Sequence, residues 1–177
     1  MTQPNTLETL LAKQDIHDVL VNYARAVDRA DAPLLKSCYH SDAIEEHGNT
    51  YTGPAHAYAD GAAERLMKLK HPMAHYLCNV HIDLNLGQNI AYVESYLLTF
   101  ARFDKGTDPW DTLTGGRIVD RFECRDGVWK IAHRKMAFDW NHDMPSSEGW
   151  CLGLFKPEDP GMIMGKRGQA DLSYQRF

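Results

Sequence analysis

From residue 7 onward, apolar side chains recur every three or four positions: Leu7, Leu10, Leu11, Ile16, Val19, Leu20, Tyr23 and Val27. That spacing predicts one long amphipathic helix, and Asn5 with Glu8 three residues later offers an N-terminal cap, so the helix is expected from about residue 6 to 29. "APLLKSCY", following an Asp31 cap, predicts a second short helix. "SDAIEEHG" reads as a short strand with "YTGP" as the turn beyond it, and "AHAYADGAAERLMKLK" as a third helix stopped at Pro72. The period then changes. "AHYLCNVHIDLNLG", "NIAYVESYLLTFARF" and "LTGGRIVDRFECRDGVWKIAHRKMAFDW" are strand candidates, the last folded into a hairpin at its Asp-Gly turn.

Helices first and a meandering antiparallel sheet afterwards predict an α+β fold, with the three helices over the concave face of a curved, cone-shaped sheet. Such a cone leaves a pocket between helix and sheet, and Asp28 at the end of the first helix has somewhere to point. A chain of 177 residues that is 44% hydrophobic supports one core. Residues 1–142 are expected to form that domain. Residues 143–177, broken by Pro145, Pro157 and Pro160, are expected to be an irregular extension packed on the domain or on an oligomer partner.

Charge narrows the partners. Nineteen basic and 24 acidic residues give a net charge of -5, and the basic ones are scattered, so nucleic acid is not expected. No basic segment followed by an apolar one opens the chain, and no run approaches the roughly 18 apolar residues of a membrane span. The expectation is a soluble cytoplasmic protein with no membrane partner. Cys38, Cys78, Cys124 and Cys151 are far apart and without metal-type pairing, and are expected to be reduced thiols in or near the core.

Taken as a regular strand, residues 73–85 place His75, Leu77, Asn79, His81, Asp83 and Asn85 on one face. That face is either wet or functional. A carboxylate on a pocket-facing helix and a histidine at the start of a pocket-lining strand together make a dyad, because the carboxylate fixes the tautomer, holds the ring and strengthens it as a base. Glu45, Glu46, His47, Arg117 and Asp120 are read as salt-bridged or solvated residues. His71 and His75 have an i,i+4 spacing, but Pro72 between them argues against a helix, and no metal site is expected. There is no dinucleotide fingerprint, Walker loop or nucleophile elbow, so no cofactor is expected.

The helix ending "YARAVD", the "HYLCNV" strand with its H-x-x-x-N spacing, the "YTGP" segment and the hairpin "DRFECRDGVWKIAHRK" resemble the nuclear-transport-factor-2-like superfamily over residues 6 to 140. Within it they are most similar to the SnoaL-like branch that contains scytalone dehydratase, bile-acid dehydratase and hexachlorocyclohexane dehydrochlorinase. The resemblance implies a cofactor-independent lyase in which Asp28 and His75 form the acid–base pair, Tyr23 assists, and Arg134 clamps developing negative charge. It also implies a small hydrophobic substrate, aromatic or polycyclic. Asn79, Tyr96, Arg117, Phe138 and Trp140 are the candidate substrate contacts. Dehydration is the commonest chemistry implied, with retro-aldol loss of a small aldehyde from a diaryl compound beside it. Ketosteroid-isomerase-like or polyketide-cyclase-like activity stays open, as does a non-catalytic member, either a ligand-binding module or the small structural subunit of an aromatic-ring dioxygenase. The long open sheet predicts a homodimer or homotrimer.

Overall fold

The computed structural model of the chain describes residues 6–175. Helix α1 spans Leu7–Arg29. Its cap is Thr6, whose hydroxyl accepts from the Thr9 backbone while the Thr9 hydroxyl accepts from the Thr6 N–H; the expected cap, Asn5, lies outside the described residues. The buried row of α1 is Ala12, Ile16, Leu20, Tyr23 and Val27. Leu7, Leu10 and Leu11 lie more than about 100° round the helix from Ile16 and are exposed.

A left-handed Ala30 ends α1, and Asp31 caps α2, Ala32–Ser37, by accepting from the Leu34 N–H at 3.0 Å. Strand β1 covers Tyr39–His47. The "YTGP" segment is not the turn. It is a short edge strand, β2 (Tyr51–Pro54), paired antiparallel with the end of β1, and the reversal falls at Gly48, whose φ of 58° suits glycine. Helix α3, Ala55–Met67, stops well before Pro72. The carbonyls of Leu69 and His71 beyond it are taken instead by the Arg167 guanidinium, at 2.7 and 2.5 Å.

Strands β3 (Met73–Asn85), β4 (Ile90–Lys105), β5 (Asp108–Arg125) and β6 (Val128–Pro145) complete a six-stranded sheet in the order β2-β1-β6-β5-β4-β3. All neighbours are antiparallel except β1 and β6. The α+β cone is therefore present, curved and unclosed, with one parallel pairing. Its core sets Val93, Ile118, Phe122 and Ile131 from the sheet against Ile16 and Leu20 of α1, while Ala55, Ala59 and Ala62 let α3 approach closely.

Two bulges decide which side chains face the cavity. In β3 the register with β4 shifts between Leu77 and Val80, so His75 and Leu77 face inward before it and Val80, Ile82 and Leu84 after it. Asn79 is consequently exposed, and so is Cys78. In β6, Gly115 pairs with Trp140 and Gly116 with Phe138, leaving Asp139 as the extra residue. Thr114 and Phe138 line the cavity, so Trp140 turns to the opposite face, where its indole fills the space a Cβ on Gly115 would need.

After a single turn at Trp150–Gly153, the C-terminal segment folds back on α1 with only short 3-10 turns. Cys151 is exposed on it; of the four thiols only Cys38 is fully buried, which pushes it up to about 11. Asp171 organises the return. Its carboxylate accepts from the Ser173 hydroxyl, the Ser173 and Lys166 backbone N–H groups, and Arg29 Nε at 3.1 Å. Tyr174 donates to Asp31 at 2.5 Å and stacks under Arg25.

The Ser173 hydroxyl, then the Lys166 N–H, hold Asp171 well below the usual carboxylate range. A depressed folded-state value means the stabilisation is complete above the unfolded value of about 3.9 and is lost as pH falls through the folded one. Asp171→Asn at neutral pH should therefore leave the cone intact but open the segment after residue 145 to limited proteolysis, which the parent chain should resist through the Asp171 bonds.

Candidate functional site

A cavity of about 420 Å³ opens between the helices and the concave side of the sheet, within the range of small-molecule sites. Its walls are mainly apolar, with Val27, Leu66, Leu69, Leu97, Met136 and Phe138 among them. Polar groups enter as His75 from β3, His47 from β1, the phenols of Tyr23 and Tyr58 from α1 and α3, the Arg65 side chain of α3, and Thr99, Thr112 and Thr114 from the sheet.

His75 is held from behind by Asp28. Asp28 Oδ1 lies 2.6 Å from His75 Nδ1, and both carboxylate oxygens accept the His75 backbone N–H at 3.1 Å. Both side chains are largely buried, at 13% and 14% exposure. The Nδ1–H donated to Asp28 leaves Nε2 as the basic nitrogen, and no other described residue binds it. This arrangement can accept a proton from a bound molecule.

Arg134 does not reach the cavity. It is fully buried one layer down, its guanidinium 3.9 Å from the Tyr23 ring centroid and joined to Asp120 by two bonds of 2.7 and 2.6 Å. Burial works against its charge, but the Asp120 carboxylate beside it, together with the Tyr39 and Tyr23 phenols, outweighs this and holds the group above its ordinary value. Its contact with the cavity wall is through the Tyr23 ring. Burial, then the neighbouring Tyr58 and Glu45, raise the Tyr23 phenol well above its usual range, and burial first of all pushes Tyr58 up to about 12. Both phenols therefore remain protonated donors at neutral pH.

Of the residues proposed from sequence, Tyr23, His75 and Phe138 line the cavity with Asp28 behind His75, and Arg134 supports Tyr23. Four others are elsewhere. The β3 bulge turns Asn79 out, and the β6 bulge does the same to Trp140. Tyr96 alternates with buried Ser95 and Leu97, so it projects from the convex face. Arg117 lies on that face too, in ion pairs with Asp139 at 2.9 Å and Glu94 at 3.4 Å. His71 pairs with Asp104 at 2.8 Å, and among the described residues no group of His, Cys, Asp or Glu is arranged to hold a metal. Nor is any described helix long and apolar enough to cross a membrane.

Three residues of the site escaped sequence reasoning: Glu45, His47 and Tyr58. Glu45 is completely buried, accepts from the Tyr39 hydroxyl at 2.7 Å and lies 3.0 Å from His47 Nδ1. The i,i+2 spacing of Glu45 and His47 on a strand was the available signal, since it puts both on one face. Glu46, between them, points outward to His133 and Lys135.

Residues 8–135 match the model of the SnoaL-like domain. The chain is 30% identical over 131 residues to a gamma-hexachlorocyclohexane dehydrochlorinase of Sphingobium indicum, covering 72% of this chain and 81% of that protein. Among solved structures, a hexachlorocyclohexane dehydrochlorinase of type 2 superposes with a TM-score of 0.72 at 20% identity, covering 88% and 99% of the two chains. A scytalone dehydratase candidate from Novosphingobium aromaticivorans superposes with a TM-score of 0.67 at 19% identity, covering 78% and 91%. These two likenesses concern the fold.

Replacing Asp120 by Ala leaves the buried Arg134 charge without its partner. Urea denaturation should show a loss of about 3–5 kcal/mol, far more than the same change at exposed Asp139, which pairs with Arg117 at the surface.

Proposed function

Since the chain belongs to the SnoaL-like family, we propose that its cavity carries out an elimination on a small hydrophobic substrate, aromatic or polycyclic, with His75 as the base. An enzyme of lyase type is what the kinship to a dehydrochlorinase supports. The observation that carries the finer reading is the 2.6 Å bond from Asp28 to His75 at the wall of an open apolar cavity.

In this reading Nε2 of His75 removes a proton from the carbon next to the leaving group, and Asp28 remains as the counter-charge of the imidazolium that forms. The dry walls strengthen that pairing by excluding water. Tyr23 donates its phenolic hydrogen to oxygen on the substrate, and Arg134, stacked beneath its ring, positions it. Dehydration fits this set directly; retro-aldol loss of a small aldehyde fits it with Nε2 taking the proton of a substrate hydroxyl instead, so that the aldehyde C=O forms as the C–C bond breaks and the carbon left behind is reprotonated. A purely structural member would need neither the assembled dyad nor the open cavity.

His75→Ala and Asp28→Asn should each lower turnover of hydroxylated aromatic and diaryl compounds by on the order of a thousandfold, in assays without added metal or nucleotide and with unchanged circular dichroism. Full activity in both variants would remove the dyad from the mechanism.

We also propose a homo-oligomer. Tyr76, Tyr92, Tyr96, Val119 and Trp140 are all exposed, and they gather on the convex face of the sheet, an apolar surface of the kind that partner subunits cover. Light scattering should return two or three times the mass of the chain, and Tyr96→Glu should lower it.

A further inference from the structure

Glu45 and His47 repeat, on the opposite wall of the same cavity, the construction that Asp28 and His75 make. His47 lines the cavity, Glu45 lies behind it fully buried, and 3.0 Å separates the carboxylate from Nδ1. The ring is also fixed from the sides. It stacks on Tyr58 with centroids 5.2 Å apart and meets Phe138 edge-on at 6.3 Å. With Nδ1 held by Glu45, Nε2 is the free nitrogen, and no described residue binds it.

The two dyads differ in what shares their carboxylates. Asp28 accepts the His75 backbone N–H with both oxygens and has the Arg167 charge nearby. Glu45 has the Tyr39 hydroxyl on one oxygen and His47 on the other. Arg134, the other cation of this buried layer, is committed to Asp120 through two bonds. His47 is thus the one cation-forming group that Glu45 hydrogen bonds.

We propose that His47 is the general acid of this cavity, positioned by Glu45, and that the leaving group is consequently an oxygen rather than a halide. The inference rests on the elimination reading given above. His75 Nε2 takes the proton, the C–H electron pair becomes the new C=C bond, and the C–O bond breaks with its electrons on oxygen. The Nε2–H of protonated His47 supplies the proton to that oxygen, and water leaves. His75 then holds one proton more and His47 one fewer, and exchange with solvent at the open mouth restores both. Chloride departs as a stable anion and uses no such donor; hydroxide is a poor leaving group and needs one. A second imidazole is what distinguishes the two tasks.

The test compares leaving groups on one carbon skeleton: the aldol adduct of acetone with benzaldehyde, and the chloride that replaces its hydroxyl. Both give the same conjugated enone, followed by its absorbance after subtraction of the uncatalysed rate. His75→Ala should depress both reactions. His47→Gln should depress loss of water by about a hundredfold or more and leave loss of chloride within a few-fold of the parent. Glu45→Gln, read by the same ratio, should fall on the same side as His47→Gln, whereas a merely structural role would slow both substrates alike. Equal effects of His47→Gln on both substrates, or none on either, would overturn the assignment of His47 while leaving the elimination reading in place. A parent chain that acts on the chloride but not on the alcohol would overturn the oxygen leaving group. No effect of His75→Ala on either reaction would instead overturn the elimination reading itself.

Discussion

One carboxylate ties the end of α1 to the free edge of the sheet. β3 is the last strand in the order, with no neighbour beyond it among the described residues, and Asp28 grips it by the backbone N–H and the ring of His75 together. Burying a carboxylate is costly unless donors replace the lost water, and these bonds provide them. Helix position and imidazole orientation therefore have a common origin. A shift of α1 along the strand would break the backbone bonds and turn the ring away from the cavity in the same movement.

Behind the cavity wall the cone stores its charges in layers. Tyr23 and Tyr58 face the cavity; beneath them Arg134, Asp120, Glu45 and Tyr39 are wholly buried and bound largely to one another. The aromatic layer separates these buried charges from the cavity, whose lining imidazoles and phenols exchange protons, and the guanidinium that does line the cavity is Arg65 of α3 rather than Arg134. This explains why Arg134, on the final strand where an electrostatic clamp was expected, supports the site without entering it.

The long α1 helix, the Asp-Gly hairpin and the pairing of Asp28 with His75 could be read because each depends on local periodicity or on one residue at an element's end. Asn79 and Trp140 could not, because strict alternation assumes a regular strand and both follow or form part of a bulge. A bulge is set by what the partner strand needs, and Gly115, too small to oppose the Trp140 indole, belongs to a different strand. Glu45 and His47 were visible as a pair two residues apart, yet weighing each residue singly made both look like surface charges. The "YTGP" segment misled for a similar reason, since its glycine and proline mark a sheet edge as readily as a turn.

The bulge in β3 also divides one strand into two independent halves. Before the bulge Met73 and His75 line the cavity and Leu77 packs on the core, while residues 80–84 present their even-numbered side chains to the packed interior. Diversification of the mouth half can thus proceed without disturbing the packing of the other. For directed evolution this makes Met73, which lines the cavity two residues from the fixed His75, the position of this strand at which to reshape the cavity, whereas Leu77 is held by the core.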